Sequence, residues 1–132
     1  MLGDADVLVN LGTSDPERTR AFYEETLGLE FLLRRELVEG RPELVFRAGG
    51  GALICIEGGE GTPEPPRNPP FTFRVDDIAA AVASLRERGV TFEEYDLPFL
   101  KTEDAIAEVA GVKAAWFRDP DGYLLALMQE AG

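Results

Sequence analysis

Histidine is absent from this 132-residue chain, and cysteine occurs once, at Cys55. The first absence removes the commonest metal ligand and the commonest general base together. Zinc centres built on imidazole, Ser-His-Asp triads and Cys-His pairs are excluded. A single cysteine also excludes an intramolecular disulfide and any paired-cysteine metal knuckle. No apolar run approaches the roughly 20 residues of a membrane-spanning helix. The N-terminal MLGDADVLVN carries acids where a secretory signal needs basic residues ahead of a long apolar core. The expectation is a cytoplasmic protein with no membrane partner. Basic residues are few as well: 13 Lys and Arg stand against 25 Asp and Glu, a net charge of −12. Nucleic-acid binding needs clustered positive charge, so no nucleic-acid partner is expected. An acidic surface suits a cationic ligand, and it equally serves plain solubility.

What is present is one pattern written twice. DVLVNLGT (6–13) alternates Val7, Val9 and Leu11 against Leu8, Asn10 and Gly12, as a half-buried strand does. In the following SDPERTRAFYEETLG, Asp15 suits an N-cap, Pro16 the first helical turn and Gly28 the C-terminal cap. Thr19, Phe22, Tyr23, Thr26 and Leu27 form the buried stripe at helical spacing. Three strand-like stretches follow, near 30–38, 43–48 and 52–57, the last pair joined at Gly49-Gly50-Gly51. The second half repeats the order. PFTFRVDD (70–77) reads as a strand, and Ile78, Ala81, Val82 and Leu85 mark a helix closed by Gly89. Strands are predicted near 91–97, 112–118 and 123–129, with Asp119-Pro120-Asp121-Gly122 turning the last hairpin.

The register supports a true repeat. Asp15 and Asp76, Gly28 and Gly89, and Phe31 and Phe92 each stand 61 residues apart, while Phe46 and Phe117 stand 71 apart, as do Gly51 and Gly122. The extra ten residues fall in PFLKTEDAIAEVAG (98–111), an insertion before the seventh strand, read as a lid or a dimer seam. The expected organisation is one domain of α+β class, spanning 1–132. It holds a first βαβββ module at 7–57, a Gly/Pro-rich linker at 58–69 and a second module at 70–129.

Paired βαβββ modules carrying SDPERTRAFYEETLGL, FRVDDIAAAVASLRERGV and AWFRDPDGYLLAL resemble the vicinal oxygen chelate superfamily, also called the glyoxalase/bleomycin resistance/dioxygenase superfamily. The resemblance implies eight strands in a curved half-barrel with helices on the convex side, usually in a homodimer, and a site on the concave face. It also implies a metal held by one side chain from each of four strands. Carried over position by position, those places hold Leu8, Cys55, Pro70 and Ala126. Only the thiol can donate, and a divalent metal needs three or four donors. Glu57 shares the strand parity of Cys55, which gives at most a two-ligand fragment. No metal and no cofactor are therefore expected.

Strand parity places Val7, Val9, Leu11, Ile54, Ile56, Phe71, Phe73, Val75, Leu125 and Leu127 under the helices. The opposite face receives Leu8, Asn10, Cys55, Thr72, Ala126 and Met128, with Val45, Arg47, Trp116 and Arg118 if Phe46 and Phe117 are core. This mostly apolar face with a few polar groups is composed like a small-molecule site. Asn10 either orients a ligand carbonyl or bonds a neighbouring strand. Trp116 either stacks on a planar or cationic ligand or simply packs. Arg47 and Arg118 are expected to pair near the turns, with Glu57 or Asp119. Cys55 reads as a small buried hydrophobe. The favoured function is a metal-independent small-molecule-binding protein, drug sequestration being one form, for a cationic or aromatic ligand. The alternatives are a metal-dependent lyase, isomerase or dioxygenase of the same superfamily, and a metal-free enzyme using Arg, Glu57 or Tyr123.

Overall fold

The computed structural model describes residues 1–59 and 61–131. The chain divides into two compact units, Met1–Glu64 and Pro65–Gly132, the boundary falling inside the expected linker.

In the first unit, β1 (Leu8–Thr13) leads into α1 (Pro16–Ala21), followed by β2 (Glu30–Val38), β3 (Arg41–Arg47) and β4 (Leu53–Gly58). They form a four-stranded sheet in the order β1-β4-β3-β2, with β1 parallel to β4 and the other pairs antiparallel. Helix α1 starts where the sequence says: Asp15 accepts the Arg18 N–H at 3.2 Å, and Pro16 fills the first turn, where no donor is needed. A buried hydroxyl pair, Thr13 Oγ1 to Thr19 Oγ1 at 2.7 Å, ties the helix to the end of β1 and puts the odd-numbered residues of that strand beneath it. Glycine stands at the end of β4 for a steric reason. A Cβ there would lie 2.8 Å from Pro16 Cγ, so any larger residue would push the helix start outward. Tyr23, Phe46 and Ile56 are fully buried, each contributing about 1.5–3 kcal/mol of apolar burial.

In the second unit, β5 (Thr72–Arg74) leads into α2 (Ile78–Glu87), then β6 (Asp96–Leu97), β7 (Leu100–Lys101), β8 (Ala107–Val109), β9 (Val112–Arg118) and β10 (Leu124–Gln129). The sheet order is β5-β10-β9-β8, with β5 parallel to β10, while β6 and β7 form a separate small hairpin. The last turn works as expected: Asp119 Oδ1 accepts the N–H groups of Asp121 and Tyr123, both at 2.9 Å. The architecture is therefore α+β, two open four-stranded sheets each bearing its helix on one face. Among the described residues no helix is long and apolar enough to cross a membrane.

Three expectations need correction. The cap of α2 is Asp77, which accepts the Ala80 N–H at 3.1 Å, and not Asp76. The caps are thus 62 residues apart (77 − 15), while Gly28 and Gly89 remain 61 apart (89 − 28). The surplus residue in the first helix is taken up by a π turn over Phe22–Thr26, closed by the Leu27 N–H to the Phe22 carbonyl at 2.9 Å.

The sixth strand predicted at 91–97 is reduced to a single bridge, Phe92 to Phe117, plus the Glu93 N–H to the Trp116 carbonyl at 2.8 Å. Continued antiparallel, 91–97 would reach the start of β9. There β8, from the 98–111 insertion, is already paired, Ala107 with Ala114 and Val109 with Val112. One edge cannot accept both partners, so the chain leaves β9 after Glu93 and turns back as β6 and β7. Among the described residues the two four-stranded sheets thus hold the eight strands expected, with β8 in the place of 91–97, and β6 and β7 are additional.

Lastly, Val7 lies outside β1 and is 82% exposed, and Val9, Phe71, Phe73 and Val75 are only half-buried. Strands β1 and β5 are the edges of their sheets, and β5 pairs with only Ala126–Met128. Their side chains therefore have a neighbouring strand on one side only.

Candidate ligand-binding faces

Each sheet has one face under its helix and one free of it. In the first unit the helix-free face carries the even residues of β1 and the odd residues of β3 and β4. Directly opposed residues point to the same face, so the register defines a row across the sheet: Asn10 beside Cys55, Cys55 beside Val45, and Val45 beside Leu33. Asn10 is exposed, Leu8 is 45% exposed, and Cys55 is 3% exposed. Burial pushes the Cys55 thiol above its ordinary range, the Glu43 carboxylate adds to this, and Arg35 opposes it. A protonated, buried thiol is a small hydrophobe and not a nucleophile.

Beyond Cys55, sequence reading missed a charged ladder. Glu43 is buried and accepts from Arg35 Nε at 2.6 Å. Its cross-strand partner is Glu57, bound by Arg41 at 3.1 Å. Two carboxylates directly opposite one another repel, and here each is offset by an arginine. The expected pairing of Arg47 with Glu57 is replaced by Arg47 with Glu30 at 3.5 Å, because Glu30 is the residue opposite Arg47.

The second unit holds the equivalent row: Thr72 beside Ala126, and Ala126 beside Trp116. Thr72 is exposed, Trp116 and Met128 are half-buried, and Ala126 is 4% exposed. Helix α2 packs on the other side, where Gln129 accepts the Ile78 N–H at 2.8 Å. Trp116 has a partner that the sequence did not disclose. The ring of Tyr95 meets it edge to face, with centroids 5.5 Å apart and planes at 84°. Burial, and then the nearby Glu93, raise the Tyr95 phenol above its ordinary range, Arg118 acting against them. Arg118 pairs with Glu93 at 2.6 Å and donates to the Gly122 carbonyl at 3.0 Å. Strand parity was a signal that could have found Tyr95: continued antiparallel from the Phe92–Phe117 bridge, 91–97 puts it on the face of Trp116.

The predicted site residues therefore fall into two groups, Leu8, Asn10 and Cys55 on one sheet and Thr72, Trp116, Ala126 and Met128 on the other. As a donor set, Leu8, Cys55, Pro70 and Ala126 do not fit a divalent metal, since three have no side-chain lone pair and the thiol is buried and protonated. Among the described residues no three Cys, Asp or Glu side chains are grouped to hold an ion. A cavity of about 690 Å³ opens elsewhere, on the helical side of the second sheet, lined by Asp76, Lys101, Glu103, Lys113 and Gln129 among others. The adjacent α2 start already has N–H groups bound to Asp77 and Gln129, which leaves little there for an anion.

Residues 7–127 match the family described as the Glyoxalase/Bleomycin resistance protein/Dioxygenase superfamily. Several solved structures are similar over nearly their whole length. A glyoxalase family protein from Enterococcus faecalis is 27% identical with a TM-score of 0.73, the match covering 97% of this chain and 99% of that one. TnmS3, an antibiotic binding protein from Streptomyces sp. CB03234, is 26% identical with a TM-score of 0.65, covering 96% and 98%. The fosfomycin resistance protein FosX from Listeria monocytogenes shares the fold at 21% identity and a TM-score of 0.72, covering 98% and 92%. No curated protein matches significantly.

Proposed function

The chain belongs to the Glyoxalase/Bleomycin resistance protein/Dioxygenase superfamily, and from that premise we propose that it binds a small organic molecule without a metal, on the helix-free sheet faces. The observation that carries this reading is the content of the four family ligand positions. Leu8, Pro70 and Ala126 have nothing to donate, and Cys55 is buried. What those faces do offer is apolar surface interrupted by a few polar groups: Leu8 and Met128 with Asn10 and Thr72, and one large aromatic at Trp116. Likeness to an antibiotic binding protein supports sequestration as the use of such a surface. A homodimer is part of the proposal, because β2 is a nine-residue edge strand exposing Leu33, Leu37 and Val38.

The test is calorimetric titration of the purified protein with bleomycin and other aromatic antibiotics, before and after EDTA treatment, alongside native mass spectrometry for co-purified ligand and metal. Binding that survives EDTA is the expected result. Binding or turnover lost with EDTA and restored by manganese or nickel refutes the proposal.

A further inference from the structure

The segment after Phe92 is held by an unusual set of bonds centred on Glu94. Its carboxylate accepts the Ala105 N–H on both oxygens at 3.0 Å and the Thr102 hydroxyl at 2.6 Å, and Arg86 Nη2 lies 3.9 Å away. Asp104 and Ala105, which it thereby fixes, have φ of 50° and 75°, a left-handed pair without glycine. Such backbone is strained and persists only where its surroundings over-determine it. Here Ala105 is fully buried, and Arg86 Nη1 holds Asp104 at 2.8 Å.

The same bonds continue to Tyr95. Its N–H donates to Thr102 Oγ1 at 2.8 Å, and its carbonyl accepts the Thr102 N–H at 2.9 Å. Glu94, Thr102 and the strained turn thus fasten the 98–111 insertion to the backbone of the residue whose ring stands at 84° to Trp116. A perpendicular aromatic pair makes a corner: a flat ligand can lie along one ring while its edge meets the other.

We infer that the insertion is a specificity element, with Glu94 and Thr102 as positioning residues for Tyr95, so that the Tyr95–Trp116 corner selects flat aromatic ligands over globular ones. This rests on the reading of Trp116 as a ligand contact. The chemistry specified is a planar ring system, and the acidic chain favours a cationic one.

Trp116 is the only tryptophan, so its fluorescence reports the site directly. The probes are proflavine, a flat cation, 9-anthracenecarboxylate, a flat anion, and 1-adamantanamine, a globular cation. Their dissociation constants are measured by quenching or by competition with proflavine, and near-ultraviolet circular dichroism follows the Tyr–Trp pair. The expected wild-type result is saturable quenching by the flat probes and weaker binding of adamantanamine. Tyr95→Phe keeps the ring and should retain the preference for flat probes. Tyr95→Ala should reduce the flat-to-globular ratio by about three- to tenfold. Glu94→Gln and Thr102→Val should reduce it in the same direction, with an altered near-ultraviolet signal and proflavine still bound.

If the wild type binds the flat probes but the ratio is unmoved in Tyr95→Ala, Glu94→Gln and Thr102→Val, the positioning role is overturned and Trp116 acts alone. If no probe affects Trp116 in the wild type, the ligand contact itself is refuted, and this inference falls with it. Should Glu94→Gln fail to fold, Thr102→Val and Tyr95→Ala decide the matter, since neither removes a charge.

Discussion

The two modules invite a paired deletion, Phe46→Ala and Phe117→Ala. Both side chains are fully buried, and each meets a phenylalanine from the preceding segment in nearly the same geometry. Phe31 to Phe46 is 5.5 Å at 67°, and Phe92 to Phe117 is 5.4 Å at 65°. Removing either ring should cost about 3–5 kcal/mol, from lost transfer energy and the cavity left behind. Phe46 also touches Tyr23, centroids 5.6 Å apart, a contact of about 0.5–1.5 kcal/mol that is lost with the ring. With a urea slope of about 1–3 kcal/mol per molar, midpoints should fall by roughly 1–5 M. Urea titration followed by far-ultraviolet circular dichroism measures this, with Phe→Leu at each site as the milder control. A cost below about 1.5 kcal/mol at either site would refute the equivalence of the two cores.

Three other outcomes are expected. Phe71→Ala should cost only about 1–2 kcal/mol by the same titration, because Phe71 precedes an edge strand and is half-buried. Cys55 should ignore Ellman's reagent until the protein is unfolded. The fold raises its pKa, so the folded state holds the proton more tightly than the unfolded chain does. Stability should therefore fall as pH rises through the ordinary thiol range near about 8.5, and Cys55→Ala should flatten that decline in melting temperature between pH 7 and 9.5. EDTA should leave the melting temperature unchanged; a drop reversed by added manganese or zinc would contradict the donor-set reading.

Local rules made most of the fold legible in advance. Period-two alternation found β1, turn residues at Gly49–Gly51 and Asp119–Gly122 found the hairpins that hold β4 and β10, cap chemistry found α1 at Asp15, and the 71-residue spacing of Phe46 and Phe117 found two equivalent core positions. What stayed hidden depended on competition between segments. Residues 91–97 have strand character, but whether they pair depends on whether β8 reaches β9 first, and nothing within 91–97 says so. The one-residue slip between the caps was invisible because a π turn costs no distinctive residue; Phe22–Thr26 reads as ordinary helix. The charged ladder was missed because Glu43 and Glu57 are 14 apart in sequence (57 − 43), and only the β3–β4 register sets them opposite.

The residues standing at the four family ligand positions also shape the strands that carry them. Proline at 70 has no N–H to give, and β5 begins only at Thr72. Because β5 pairs with Ala126–Met128 alone, Leu124 and Leu125 of β10 have no β5 neighbour. Alanine at 126 sets only a methyl group directly opposite the indole of Trp116 across the strand pair. A carboxylate at 126 would be buried, and without a cation beside it would cost several kcal/mol or be forced to take up a proton. An apolar residue there is stable with no ion bound. The substitutions that deny a metal its ligands are thus the ones that let these faces exist as apolar surface in its absence, and the aromatic corner of Tyr95 and Trp116 lies beside one of them.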